Sequence, residues 1–412
     1  MNFSKNDLSF TDMKYFRIIE KAFLKRSTRF GYKEIKTSTI DSLYLFSMPD
    51  VLSNKKLKQI YSFLDWKGWD GERVTLKPDS SVSVARFFHD NFSKNQLKKK
   101  LCYVDNHFKF SGGSISERWQ FGIENIGSNS PEDDLEIIII AYDILKEIYS
   151  NEFYIFLSYP LIIKKMLKIL PIKDENILNE IKNDLNKAIK KLAHITDGEN
   201  LINLLQFQIK SVNYLKNVMC ILENSKFKTV LPELDKFITI CKLLDKSKCP
   251  YIIDFSNIGD LDYYTGIQFQ MANTIRKDRR SILCSGGRYD NLVGNMLESA
   301  EAVPSTGFAL YTKNIIKTMP DQIFDNRPNV ICYIKDFTKQ NVKTAQLLCE
   351  KFSQFGFNSQ ISFNRIDPHE YSKFIIILEV NTKFKCGYNV LYSKKIERHI
   401  LSSLFENSKN FL

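Results

Sequence analysis

The sequence has no Cys-x-x-Cys pair. Its eight cysteines, at positions 102, 220, 241, 249, 284, 332, 349 and 386, are scattered and mostly sit in apolar segments such as Leu101-Cys102-Tyr103. That spacing suits neither a zinc site nor a disulfide framework, so the thiols are expected as small buried hydrophobes in a reducing compartment. The five histidines are equally dispersed, and no metal or other cofactor is indicated. Long apolar runs are missing too: stretches such as 137–141 and 374–378 fall far short of the roughly 20 residues needed to cross a bilayer. The start, MNFSKNDLSF, lacks the uninterrupted apolar segment of a signal peptide. The expected location is the cytoplasm.

What is present is ordinary for a globular protein. The chain has 412 residues, 43% hydrophobic and 26% charged, enough for two or three domains. A net charge of +12 would suit a polyanion such as nucleic acid. The lysines, however, are spread through an Asn-, Ile- and Lys-rich composition, so charge alone does not select a partner.

Residues 12–30 place Met13, Phe16, Ile19, Ala22 and Phe23 on a helical stripe behind Thr11 as candidate cap, and Gly31 ends it. Residues 32–37 read as a strand, and 61–65 and 73–76 as paired strands around a turn. Residues 77–81 lead into a helix over 82–88. Asp79, just before that helix, either caps it or projects a carboxylate toward a ligand amine, and both readings stay open at this point. Residues 101–110 and 119–127 alternate as strands, the second with Gln120, Gly122, Glu124 and Ile126 on one face. Burying an unpaired carboxylate is costly, so Glu124 is expected to have a cationic or hydrogen-bonding partner. Ser130-Pro131 followed by three acids starts a helix reaching about Tyr149, with Glu136 and Asp143 as surface charges. Residues 152–244 turn mostly helical, with amphipathic segments at 176–191 and 201–222, and read as an insertion into one sheet.

In residues 260–292 two alternating runs flank a charged segment, 276–280. Alternation puts Tyr263, Ile267, Phe269 and Met271 on one face and Tyr264, Gly266, Gln268 and Gln270 on the other. Taken alone, the polar face reads as solvent-facing. The second run stops at Gly286-Gly287, where a sharp turn or close backbone approach is expected, giving a hairpin that ends in a glycine elbow. Residues 303–310 read as a last strand entering a helix over 311–318. After a linker at Arg327-Pro328 come strand 330–334, helix 342–355, strands 358–363, 374–380 and 388–392, and a helix near 396–405. The expected organisation is a core domain over 1–326, interrupted by the 152–244 insertion, and a small α/β domain over 329–412.

The ordered motifs resemble the histidyl-tRNA synthetase family. Leu76-Lys77-Pro78-Asp79-Ser80-Ser81 is similar to its LRPE/D-x-T stretch, and residues 120–127 to its Q-x-G-x-E-x-x-G strand. Leu261-Asp262-Tyr263-Tyr264-Thr265-Gly266 resembles its LDYYTG segment, 286–292 its GGRYDxL, and 303–310 the start of motif 3. The resemblance spans about 11–316 and implies an α+β fold: a class II synthetase-like antiparallel sheet flanked by helices, with a reduced anticodon-binding-type domain behind it. It also implies a histidine pocket made of Asp79, Ser81, Gln120, Glu124, Tyr263, Tyr264 and Tyr289.

The departures bear on activity. Where the family supplies arginines to ATP phosphates, this chain has Lys109 in motif 2, Gly259 before LDYY, and Lys313-Asn314 in place of Glu-Arg in motif 3. Motif 1 carries Ser38 where a proline is usual. A site that reads histidine without activating it resembles the non-catalytic paralogue group, the regulatory subunits of ATP phosphoribosyltransferase. That resemblance implies no aminoacylation, a homodimer that binds L-histidine, and assembly with short-form catalytic subunits into a hetero-octamer, with tRNA not a partner. Two alternatives stand beside it: a divergent active histidyl-tRNA synthetase, and a synthetase-like tRNA-binding protein without aminoacylation.

Overall fold

A computed structural model describes residues 7–394 apart from 49–50, 53, 67–70, 93–97, 112–113, 150, 173, 175, 259–263, 275–279, 297–301, 320–328, 355–356, 365–374, 382 and 384–387. The chain divides into two compact units, residues 1–320 and 321–412. In the first, the strands are β1 (Lys33–Glu34), β2 (Ile40–Ser42), β3 (Ser62–Asp65), β4 (Glu72–Leu76), β5 (Lys99–Ser111), β6 (Ser114–Ile126), β7 (Tyr154–Ser158), β8 (Ile252–Ile253), β9 (Gln268–Ala272), β10 (Ile282–Arg288) and β11 (Ser305–Tyr311). They form an eight-stranded sheet ordered β1-β5-β6-β11-β10-β9-β7-β8 and a separate three-stranded sheet, β2-β4-β3. The large sheet is antiparallel through its centre and parallel only where β1 meets β5 and β8 meets β7.

Strand alternation gives this sheet two unlike faces. On β6, Phe121 and Ile123 are fully buried, and Phe121 packs on Phe16 and Phe23 at ring distances of 5.2 and 5.5 Å. Phe16 and Phe23 come from the helix Phe10–Arg29. A buried Phe of this kind contributes roughly 1.5–3 kcal/mol relative to exposure, and a second helix, Pro131–Ile148, buries Ile137, Ile138, Ile140 and Ile144. The even positions Gln120 and Glu124 face the other way, into a cavity.

Several local expectations change. The first helix is capped by Ser9, not Thr11, because Ser9 and Asp12 form a reciprocal capping box two residues earlier. The strand expected over 32–37 shrinks to β1. The segment β7, expected inside the helical insertion, belongs to the large sheet beside β9. The helices between β7 and β8 run from Pro160–Ile169 to Leu231–Lys246, and the expected 176–191 helix is broken at Asp184, which caps Leu185–Leu192. Glu136 is half-buried, accepting from Tyr32 at 2.8 Å and pairing with Lys100 at 2.7 Å, so it is a packing contact and not a free surface charge. Asp143 is likewise half-buried, paired with Arg26 at 3.1 Å. Cys220 is exposed, unlike Cys102, Cys241, Cys249, Cys284 and Cys332.

The second unit contains β12 (Asn329–Tyr333), the helix Lys339–Gln354, β13 (Asn358–Ser362), β14 (Ile375–Val380) and β15 (Tyr388–Lys394). Its sheet order is β13-β12-β14-β15, parallel except for β15. The helix expected near 396–405 lies outside the described residues. Among the described residues no helix is long and apolar enough to cross a membrane.

Candidate functional site

The polar face of the large sheet floors a cavity of about 540 Å³. Six of the seven residues expected at a binding site line it: Asp79, Ser81, Gln120, Glu124, Tyr264 and Tyr289. The seventh, Tyr263, lies outside the described residues. Gln268 and Gln270 also line this cavity, so the polar side of β9 faces the site and not solvent, while Phe269 and Met271 enter the core.

Glu124 is the centre of the site. It projects from β6 and is 1% exposed. Its partners are hydroxyls: Ser81 Oγ donates to Oε1 at 2.6 Å, Tyr103 donates to the same oxygen at 3.5 Å, and Tyr289 donates to Oε2. The expected partner thus exists as a neutral cluster and not a cation. Burial pushes the Glu124 carboxyl up to about 8; the Ser81 and Tyr289 hydroxyls pull it back, and the charge of Asp79 raises it again. Tyr103, Tyr264 and Tyr289 are all held well above the ordinary phenol range, first by burial and then by negative or polar neighbours.

Glycines make room for this cluster. Side chains at Gly122 and Gly307 would overlap the Tyr103 ring and the Glu124 carboxylate respectively. The Gly286-Gly287 pair makes no elbow. Both residues lie inside β10, and a Cβ at Gly286 would come within 2.7 Å of the Phe269 ring. The strand continues to Arg288, which donates to Asp134 Oδ2 at 3.0 Å and to Ser128 O at 3.0 Å. Backbone pairing of Thr265 N with Arg288 O, and of Arg288 N with Ile267 O, both at 2.9 Å, brings Tyr264 and Tyr289 together.

Asp79 meets the first of its two readings, as a helix cap, and its position leaves the second open. It caps the helix Ser80–Asn91 by accepting from Val82 N at 3.3 Å, and it lines the cavity. Two residues before it, Lys77 is fully buried and paired at 2.5 Å with Asp105, which is fully buried too. Asp105 also accepts from Lys36 and, at 3.1 Å, from Thr37. Desolvation lowers the Lys77 pKa and the bond to Asp105 opposes it.

A model of the histidyl-tRNA synthetase family matches residues 5–315. This chain belongs to that family. Within the family, the chain is 31% identical over 376 residues to an ATP phosphoribosyltransferase regulatory subunit of Dehalococcoides mccartyi, covering 89% of this chain and 88% of the relative. It is also 31% identical to a histidine–tRNA ligase of Methanococcus maripaludis, covering 75% of this chain and 73% of the relative. The fold is that of the solved ATP phosphoribosyltransferase regulatory subunit/histidyl-tRNA synthetase from Bacillus halodurans, with a TM-score of 0.72, 20% identity, and coverage of 90% of this chain and 96% of that one.

The residues expected from the sequence to stand in place of the family's arginines fall as follows. Lys109, Lys313 and Asn314 all line the cavity, whereas Gly259 lies outside the described residues. Asn314 Nδ2 donates to Ile282 O at 2.7 Å, so this side chain is spent on the fold. Desolvation and then the charges of Lys317 and Arg118 lower the Lys313 pKa. Arg118, Lys317, Lys56, Tyr103 and His107 also line the cavity and were not singled out in the sequence. Period-two alternation could have found three of them: Arg118 shares a face with Gln120 and Glu124, and Tyr103 and His107 share one with Lys109. Among the described residues no cluster of three or more His, Cys, Asp or Glu side chains is arranged to hold a metal ion.

Proposed function

We propose that this chain is a non-catalytic regulatory subunit of ATP phosphoribosyltransferase that binds L-histidine and governs a short-form catalytic subunit in the first step of histidine biosynthesis. The observation that carries the reading is the enclosed Glu124 cluster, with Ser81 and Tyr289 bonded to its carboxyl, opposite Tyr264 and beside Asp79. Such an arrangement offers Glu124 and the tyrosines to an imidazole, and the Asp79 carboxylate to an ammonium group. The regulatory-subunit relatives, matched over most of both chains, support the choice of partner.

Absence of catalysis rests on the residues available for phosphate. Lys109 keeps a charge but not the two-pronged geometry of an arginine, Asn314 is neutral, and Gly259 offers no side chain. Losing one such transition-state contact costs on the order of 10²-fold in rate, and losses at one centre compound. By the same reading, the chain forms a homodimer within a hetero-octamer, works in the cytoplasm, and does not use tRNA.

A second reading, an active histidine–tRNA ligase, is favoured by one observation: Arg118 and Lys317 put cations into the cavity beside Lys109 and Lys313. The test is to measure L-histidine binding by calorimetry together with histidine-dependent ATP–pyrophosphate exchange. The regulatory reading expects binding without exchange. Robust exchange would establish the ligase, and no binding would remove histidine from the account.

A further inference from the structure

Strand β5 places Tyr103, Asp105, His107 and Lys109 on one face. Tyr103, His107 and Lys109 line the cavity, and Asp105 is fully buried. His107 is itself 4% exposed, and its Nε2 lies 2.6 Å from Ser80 Oγ. Ser80 Oγ also reaches Asp105 Oδ2 at 3.4 Å. These contacts favour one tautomer. Asp105, facing the ammonium groups of Lys36 and Lys77, only accepts, so the Ser80 proton points to it. In that arrangement Ser80 Oγ accepts from His107, the ring proton sits on Nε2 and Nδ1 is the bare acceptor.

The surroundings keep the ring neutral. Burial lowers the His107 pKa well below its ordinary value, and Lys109, Lys77 and Lys36 add to the effect. Because Nε2 is taken by Ser80 and the ring lines the cavity, Nδ1 is the nitrogen left to meet a ligand. Asp79 directly precedes Ser80 and lines the same cavity. Glu124, the other acid among the described lining residues, already receives three hydroxyls. An ammonium group carries three N–H donors and needs more than one acceptor.

We propose that His107 is a specificity-determining residue of this cavity: its Nδ1 accepts a hydrogen bond from the α-ammonium group of bound L-histidine, alongside the carboxylate of Asp79. The proposal rests on the reading that L-histidine is the ligand. It gives the site a neutral acceptor that rewards a ligand amine without adding negative charge near Glu124.

The test compares L-histidine with 3-(imidazol-4-yl)propionate, which differs by lacking the amine, in calorimetric titrations of the full chain. His107→Leu should weaken L-histidine about tenfold or more, as expected for losing a bond to a charged donor, and leave the propionate unchanged. His107→Asn, whose amide oxygen can stand near the Nδ1 position, should recover much of the loss. Equal weakening of both ligands, or of neither, overturns the proposal. Wild-type protein that binds no L-histidine overturns the ligand reading and this proposal with it. A readout that needs no variant is the imidazole ¹⁵N spectrum of the wild-type chain. The His107 signals should show an Nε2–H tautomer whose Nδ1 resonance moves on adding L-histidine, whereas an Nδ1–H tautomer contradicts the assignment.

Discussion

Replacing Glu124 by Gln tests the buried carboxyl directly. Glu124 is raised by burial from an ordinary 4.5 to about 8. Between those values the folded protein holds a proton that the unfolded chain has lost, so the unfolded state binds fewer protons and stability falls as pH rises. The loss begins above 4.5 and is complete once the pH passes about 8. Each pH unit inside the window removes up to about 1.4 kcal/mol. From pH 6 to pH 8, allowing for the curve flattening at its upper end, the wild type should lose about 2 kcal/mol through this group. Glu124→Gln has no such titration. It keeps one oxygen for the Ser81 or Tyr289 hydroxyl, and whatever it costs is the same at every pH. Urea unfolding of both proteins without histidine at pH 6, 7 and 8 measures the difference, in which other titrating groups cancel. The wild type should lose ground on the variant across the series. If the two track each other within about 0.5 kcal/mol, Glu124 is not held neutral by the fold, and the electrostatic description of the site is wrong.

Three further substitutions probe the walls of the cavity. Tyr289→Phe removes a hydroxyl from the Glu124 carboxyl and should weaken L-histidine about tenfold in calorimetry; unchanged affinity would take Tyr289 out of the site. Lys77→Met leaves Asp105 fully buried with Lys36 as its remaining cation, and should cost about 3–5 kcal/mol in urea unfolding. Lys77→Met combined with Asp105→Leu should recover part of that cost, and a single-variant cost below about 1 kcal/mol would show that the buried pair does not carry the stability assigned to it. Gly122→Ala drives a methyl into the Tyr103 ring and should destabilise by about 1–3 kcal/mol while weakening histidine binding. Normal affinity in that variant would mean Tyr103 does not need its present place.

Much of this fold was legible in local patterns. The long alternation in β5 and β6 announces two central strands, and the Ser-Pro-acid start at 130–134 announces the helix Pro131–Ile148. Elements fixed by distant partners were not. Strands β1 and β8 are two residues each and exist because a neighbour offers hydrogen bonds. Strand β7 was hidden because its apolar run leads straight into the helix Pro160–Ile169, and periodicity does not separate them. The Gly286-Gly287 pair shows the same limit: two glycines allow a turn or a close approach, and only the facing Gly307 on β11 and Phe269 on β9 decide for the approach. In the site, Asp79 stood out by its place ahead of a helix and Glu124 by its place on a strand face, and family motifs added the tyrosines. Arg118 and His107 were visible by alternation but belonged to no motif. The buried Lys77–Asp105 pair was not legible, since neither residue's sequence context reveals the other.

The most direct test of the central claim is the rate of a short-form ATP phosphoribosyltransferase catalytic subunit from the same organism, measured with increasing amounts of this chain and with or without L-histidine. The regulatory account predicts a rate that rises with added chain until the complex is saturated, and that L-histidine then suppresses. Wild-type chain should lose that histidine response when Glu124→Gln is introduced. A rate indifferent to the chain, at concentrations where it binds histidine, would contradict the account.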